Sequence, residues 1–147
     1  MALLENILRV RKSTLPGAGQ GLFTSQFIPK GTRIVEYKGK VTTWKEVDHG
    51  EGTNGYIYYI RRDRVIDAGR HKKALGRYAN DGRGLYRIPG IVNNATYVED
   101  DGKVFIEATK DIPAGKEILV SYGKEYWEVI RHNRKLENSK TKESKKD

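Results

Sequence analysis

Glu117-Ile118-Leu119-Val120-Ser121-Tyr122-Gly123-Lys124-Glu125-Tyr126-Trp127 is the stretch on which the reading of this chain turns. Its aliphatic, partly β-branched opening predicts a buried strand, and that strand runs out in a tyrosine followed by a glycine. A tyrosine at the end of a buried strand offers apolar surface plus one hydroxyl, which suits it to bonding backbone or to meeting a ligand. Two further clusters stand upstream: Arg77-Tyr78-Ala79-Asn80-Asp81-Gly82, and the glycine turn Gly17-Ala18-Gly19-Gln20-Gly21-Leu22-Phe23.

Between them the chain is built of short segments bounded by Gly and Pro, at 7–11, 21–24, 33–37, 56–60, 64–67, 104–107 and 117–122. Their Tyr, Val and Ile content is that of pleated, half-buried strands. Two turns echo each other, Ile28-Pro29-Lys30-Gly31-Thr32-Arg33-Ile34 and Ile112-Pro113-Ala114-Gly115-Lys116-Glu117-Ile118. Proline at the second turn position and glycine at the fourth predict type I turns feeding strands. Because the flanks otherwise differ, this is a turn used twice, not a repeat architecture. Asn54-Gly55, Asp81-Gly82 and Asp101-Gly102 mark further turns, and 81–94 is loop. Helix is scarce. Thr43-Trp44-Lys45-Glu46 fits a capping box, 71–79 suits a short helix, and Tyr126 and Ile130 predict a C-terminal helix to about Leu136. The expected class is mostly β, several small sheets, not a doubly wound α/β fold.

The 147 residues and 16.7 kDa fit one domain, 1–130, followed by the end of a helix and a basic, disordered tail, 131–147. Mean hydropathy of -0.72 describes a soluble chain. No apolar run approaches the ~20 residues of a membrane span, and Met1-Ala2-Leu3-Leu4-Glu5 is too short for a secretory signal. An intracellular protein is expected, with cytoplasm and nucleus or nucleoid both open. Zero cysteines exclude disulfides, thiolate zinc sites and a cysteine nucleophile. His49, His71 and His132 stand in unpatterned places, so no metal site is expected. Of the net charge of +9, the tail holds +4 and residues 1–130 hold +5. Such a tail is usually solvated, with weak nucleic-acid contact as the minority reading. Arg61, Arg62, Arg64, Arg70, Lys72 and Lys73 form a second basic cluster, suited either to steering an acidic partner or simply to polar strand ends.

Taken in order, the three clusters resemble the SET-domain protein lysine methyltransferases, over about Ile7 to Trp127. The glycine turn precedes a strand, not a helix, so it lacks the context of a dinucleotide or P-loop fingerprint. The resemblance instead implies an S-adenosyl-L-methionine cradle made by Ala18, Gly19, Gln20 and Gly21. It implies further cofactor contacts from Tyr56, Arg77, Tyr78, Asn80 and Asp81, with Trp127 and the helix after it closing the pocket. Asp81-Gly82-Arg83 stands where relatives carry His-Ser-Cys, and the second asparagine, Asn93 or Asn94, follows a longer loop. Tyr37, Tyr58 and Val120 would line the substrate-lysine channel, and Tyr122 would be catalytic. The strand of Tyr122 is expected to pass under the Asn80 loop in a knot-like crossing. Val120 and Tyr58 would set the number of methyls added, leaving room for more than one.

An aromatic channel has a physical purpose. A lysine must lose its proton before its nitrogen can act as a nucleophile, and desolvation disfavours the ammonium. Aromatic faces still favour a cationic methyl donor. The implied function is S-adenosylmethionine-dependent protein-lysine N-methylation, acting on a histone or another basic DNA-associated protein. The alternative is a non-catalytic basic β module that binds nucleic acid or a lysine-containing segment. It predicts aromatics on an exposed basic face. The enzyme predicts most of Tyr37, Tyr56, Tyr58 and Tyr122 around one enclosed pocket.

Overall fold

The computed structural model describes residues 3–50, 55–84 and 87–122. Trp127, the expected C-terminal helix, the basic tail and Asn54 of the Asn54-Gly55 turn lie outside the described residues.

The described chain forms three antiparallel, three-stranded sheets. The first contains β1 (Leu8–Lys12), β2 (Gln20–Thr24) and β9 (Glu117–Ile118), in the order β1-β2-β9. The second, in the order β3-β8-β7, contains β3 (Arg33–Glu36), β7 (Ala95–Asp100) and β8 (Lys103–Ala108). The third, in the order β4-β6-β5, contains β4 (Lys40–Thr42), β5 (Ile57–Arg61) and β6 (Arg64–Asp67). Among the described residues helix is confined to 3-10 turns such as Glu5–Ile7 and Leu75–Tyr78, the latter inside the expected 71–79 segment. The capping box closes one turn only, with Glu46 N donating to Thr43 Oγ1 at 3.2 Å and Val47 N to Thr43 O at 2.9 Å.

Two strands escape the local reading. β4 is short, and Val41 within it is exposed. β7 ends in Glu99-Asp100, poor strand formers, but its hairpin partner supplies the ladder. Asp101 and Gly102 take positive φ, 51° and 74°, and Asp100 sits opposite Lys103. That is the two-residue turn whose twist matches the flanking strands.

The echoing turns are corrected in type and enlarged in meaning. Thr32 N bonds Pro29 O and Lys116 N bonds Pro113 O, both at 3.2 Å, so each proline opens its turn and does not occupy the second position. Gly31 and Gly115 stand third, at φ 88° and 83°, the glycine-requiring position of a type II turn. The two turns also pair with each other. Ile28 N bonds Ile112 O at 2.9 Å and Ile112 N bonds Ile28 O at 2.8 Å. Gly31 N reaches Ala108 O as Gly115 N reaches Thr24 O, each at 2.8 Å. The strand–turn–strand units around Ile28 and Ile112 are thus related by a local two-fold, and they join the first two sheets.

Leu22, Ile28, Ile34, Ile106, Ile112, Ile118 and Val120, all fully buried, form the main core at that junction. A smaller cluster of Tyr37, Ile66, Ala68 and Val104 lies under the third sheet, with Tyr58 and Tyr97 packed against it. Past β9 the chain runs between two others. Val120 N bonds Asn80 O at 2.9 Å on one side, while Leu119 O accepts from Asn94 N at 2.9 Å and Ala95 N at 3.0 Å on the other. Parallel bridges, Asn80 with Leu119 and Ala95 with Val120, hold this crossing, in which Asn80 and Ala95 flank the segment that leads from β9 to Tyr122.

Candidate functional site

The crossing brings the separated clusters together. Asn80 Nδ2 donates to Gln20 O at 2.9 Å, tying the second cluster to the end of the glycine turn. One residue earlier, the Ala79 carbonyl accepts a short hydrogen bond from the Tyr122 hydroxyl. The Tyr122 ring stacks on Tyr97, centroids 6.2 Å apart at 27°. Tyr97 in turn meets Tyr37 edge-on at 5.8 Å and Tyr58 at 5.2 Å. Tyr37, Tyr58 and Tyr122 are therefore gathered around Tyr97, beside Asn80.

Tyr37 is buried, 5% exposed, and its hydroxyl donates to Tyr56 O at 2.7 Å. Burial raises the pKa of the Tyr58 phenol to about 12, with further contributions from the Glu99 charge and a hydrogen bond to Glu99. Tyr58 is thus a neutral hydroxyl over the whole physiological range. Val120 belongs to the main core, fully buried.

Tyr56 takes a different direction from Tyr58. It precedes β5, and the Arg77 guanidinium lies over its ring, 4.1 Å from the centroid. Tyr78 is 5.3 Å from the same guanidinium, and its hydroxyl donates to Lys72 O. Arg77 Nε and Nη1 are buried and meet no hydrogen-bond partner among the described residues. Such donors are costly unless a ligand or water completes them.

In the glycine turn, Gly19 has φ 78° with open space where a side chain would begin. Gly21 differs: a Cβ there would stand 2.3 Å from Glu117 Oε2. Its bareness makes room for a buried carboxylate. Asp81 is 6% exposed, and its carboxylate accepts from Arg83 N at 2.9 Å, Asn93 Nδ2 at 2.9 Å and Tyr122 N at 3.0 Å. Its side chain staples the two ends of the long loop and holds the backbone of Tyr122. Asn94 clasps the crossing strand, donating from Nδ2 to Glu117 O and accepting from Leu119 N, both at 2.9 Å.

The family model of the SET domain matches residues 19–123. The chain belongs to the SET-domain family. Among curated relatives, this SET domain is 29% identical over 127 residues to histone-lysine N-methyltransferase set-17 of Caenorhabditis elegans, covering 84% of this chain and 43% of the relative. It is 31% identical over 112 residues to histone-lysine N-methyltransferase ASHH3 of Arabidopsis thaliana, covering 71% of this chain and 29% of the relative. The chain thus spans less than half of either. Among solved structures, the methyltransferase domain of human PR domain-containing protein 2 superposes with a TM-score of 0.59 at 22% identity, over 84% of this chain and 90% of that one.

Sequence reasoning missed Tyr97 and Glu117 as a polar centre at this crossing, and it left the second asparagine open between Asn93 and Asn94, of which Asn94 is the clasp. Tyr97 had a usable signal, since Asp101-Gly102 before a predicted strand calls for a partner strand on its other side. Glu117 is legible as the start of a buried strand, but not as a polar centre. Nothing local marks a carboxylate for burial.

Proposed function

We propose that this SET domain transfers a methyl group from S-adenosylmethionine to the side-chain nitrogen of a lysine in a protein substrate. The observation that carries the reading is the gathering of Tyr37, Tyr58, Tyr97 and Tyr122 next to Asn80 and the glycine turn. The residues fit the donor. Arg77 keeps two buried, unpartnered N–H groups suited to a carboxylate, Tyr56 offers a ring beside them, and open space lies over Gly19. Ala18, Gly19 and Gln20 would supply backbone groups, and Asn80 its amide. When bound, S-adenosylmethionine supplies an electrophilic methyl on a cationic sulfur.

The chain's own contribution is positioning and electrostatics. Tyrosine rings strip water from the incoming ammonium and lower its pKa towards the neutral, nucleophilic amine. Tyr58 stays protonated, so it cannot itself take the lysine proton at neutral pH. Because Tyr122 donates its hydrogen to Ala79 O, its oxygen turns lone-pair density elsewhere, which suits it to accept from a polarised methyl C–H. Asp81 holds Tyr122 from the backbone side.

Relatives named as histone-lysine N-methyltransferases make histones the first substrates to try. Purified protein incubated with core histones and isotopically labelled donor is expected to give labelled methyl-lysine by mass spectrometry, and Tyr122→Phe is expected to give almost none. No incorporation into histones or other basic proteins, together with no calorimetric binding of S-adenosylhomocysteine, would reject the reading.

A further inference from the structure

Glu117 opens β9, five residues before Tyr122, and its side chain is buried, 6% exposed. Among the described residues it makes no ion pair. Its oxygens are held by donors from far along the chain. Ser13 Oγ donates to Oε2 at 2.7 Å, while Thr14 N at 2.9 Å and Thr14 Oγ1 at 2.6 Å both donate to Oε1. A longer contact, 3.4 Å, comes from Asn80 Nδ2 to Oε2. Gly21 makes the approach feasible, since any larger residue would overlap Oε2. Taking a carboxylate out of water costs several kcal/mol unless its lone pairs are satisfied. Packing alone would be served as well by an apolar side chain, so the carboxylate's effect must be sought in what it orients.

That effect falls on Asn80. Its amide nitrogen faces two groups that only accept, the Gln20 carbonyl at 2.9 Å and the Glu117 carboxylate at 3.4 Å. Both amide hydrogens are committed, so the side chain cannot turn over without setting its oxygen against two oxygens. Asn80 Oδ1 is thereby directed away from both as an acceptor, at the end of the glycine turn. We propose that Glu117 is a positioning residue of the methyl-donor site, locking the Asn80 amide so that its oxygen reads the cationic α-ammonium of the donor, while the same carboxylate pins residues 13 and 14 ahead of the turn. The inference rests on the methyl-transfer reading above and adds to it a determinant of donor recognition.

Two ligands test it on the full chain by calorimetry: S-adenosylhomocysteine, and its analogue in which hydrogen replaces the α-amino group. The parent is expected to prefer the amine-bearing ligand by about tenfold to a hundredfold, the range of one charge-assisted hydrogen bond. In Glu117→Gln, Thr14 N claims the new carbonyl oxygen, so the new amide nitrogen faces the Asn80 amide nitrogen. The Gln20 carbonyl still opposes a flip, so Asn80 keeps one partner beside a repelling donor, shifts out of place, and the preference is expected to fall several-fold. Gly21→Ala displaces the same carboxylate without removing its charge, and it is expected to reduce the preference likewise. It decides the matter should Glu117→Gln fail to fold by circular dichroism. A folded variant that binds both ligands more weakly but keeps the parent's preference would overturn the inference and leave Glu117 a purely structural residue. A parent with no preference between the ligands also overturns it while the methyl-transfer reading stands. A parent that binds neither ligand overturns both.

Discussion

Tyr97 is the side chain about which the candidate site is arranged, since among the described residues its ring meets those of Tyr37, Tyr58 and Tyr122. In the proposed methyl-transfer reading, the hydroxyls of Tyr97 and Tyr58 would limit the room left for a methylated amine. Val120 is enclosed by the main core. Tyr97→Phe is therefore expected to shift product towards more highly methylated lysine, and Tyr58→Phe to do so more weakly. Intact mass of a peptide product after exhaustive turnover would check this, and an unchanged methyl distribution in both variants would assign the limit elsewhere. Tyr122→Phe removes the hydroxyl that bonds Ala79 O and that the proposed reading sets against the moving methyl. It is expected to lower kcat by about a hundredfold or more, with the donor dissociation constant changed by less than about threefold. Steady-state kinetics and calorimetry on the same sample separate the two effects.

Loops, more than strands, carry the precision at the scale of elements. The described residues between 80 and 95 are tied by the carboxylate of Asp81, which joins Arg83, Asn93 and the Tyr122 backbone. Asp81→Ala would leave buried donors unpaired, and a loss of about 2–4 kcal/mol in denaturant unfolding is expected. Activity should fall further than stability accounts for, because Tyr122 loses its backbone anchor. Asp81→Asn keeps an acceptor and should retain part of both. The paired turns make a separate demand. Gly31→Ala and Gly115→Ala meet open space, so each should cost only the strain of positive φ, about 1–2 kcal/mol. A much larger loss in either would show that the turn contributes more than its backbone conformation.

Over the whole molecule, the Tyr58 phenol links folding to alkaline pH. Its proton is held more tightly in the folded state, with the pKa raised from 10.0 to about 12. The stability it contributes is full below pH 10 and is lost as pH rises through the folded value, because the unfolded chain then binds fewer protons than the native one. Unfolding curves across that window should fall less steeply with pH for Tyr58→Phe than for the parent. The amino-acid sequence by itself determined the mostly β class, the turn positions, and most of the side chains that meet at the crossing, Tyr37, Tyr58, Asn80 and Tyr122 among them. The class and the turns follow from local chemistry, β-branched and aromatic runs with glycine and proline punctuation; the side chains follow from short motifs read through their resemblance to the family. Tertiary structure alone decided that Tyr97 stands at the centre and that Tyr56 turns away to Arg77. It also decided that Ile28 and Ile112 join two turns, and that Glu117 is buried against Ser13, Thr14 and Asn80. The physical reason is that a carboxylate's burial or a ring's neighbours depend on which distant strands pair and in what register, and no short window of sequence contains that information.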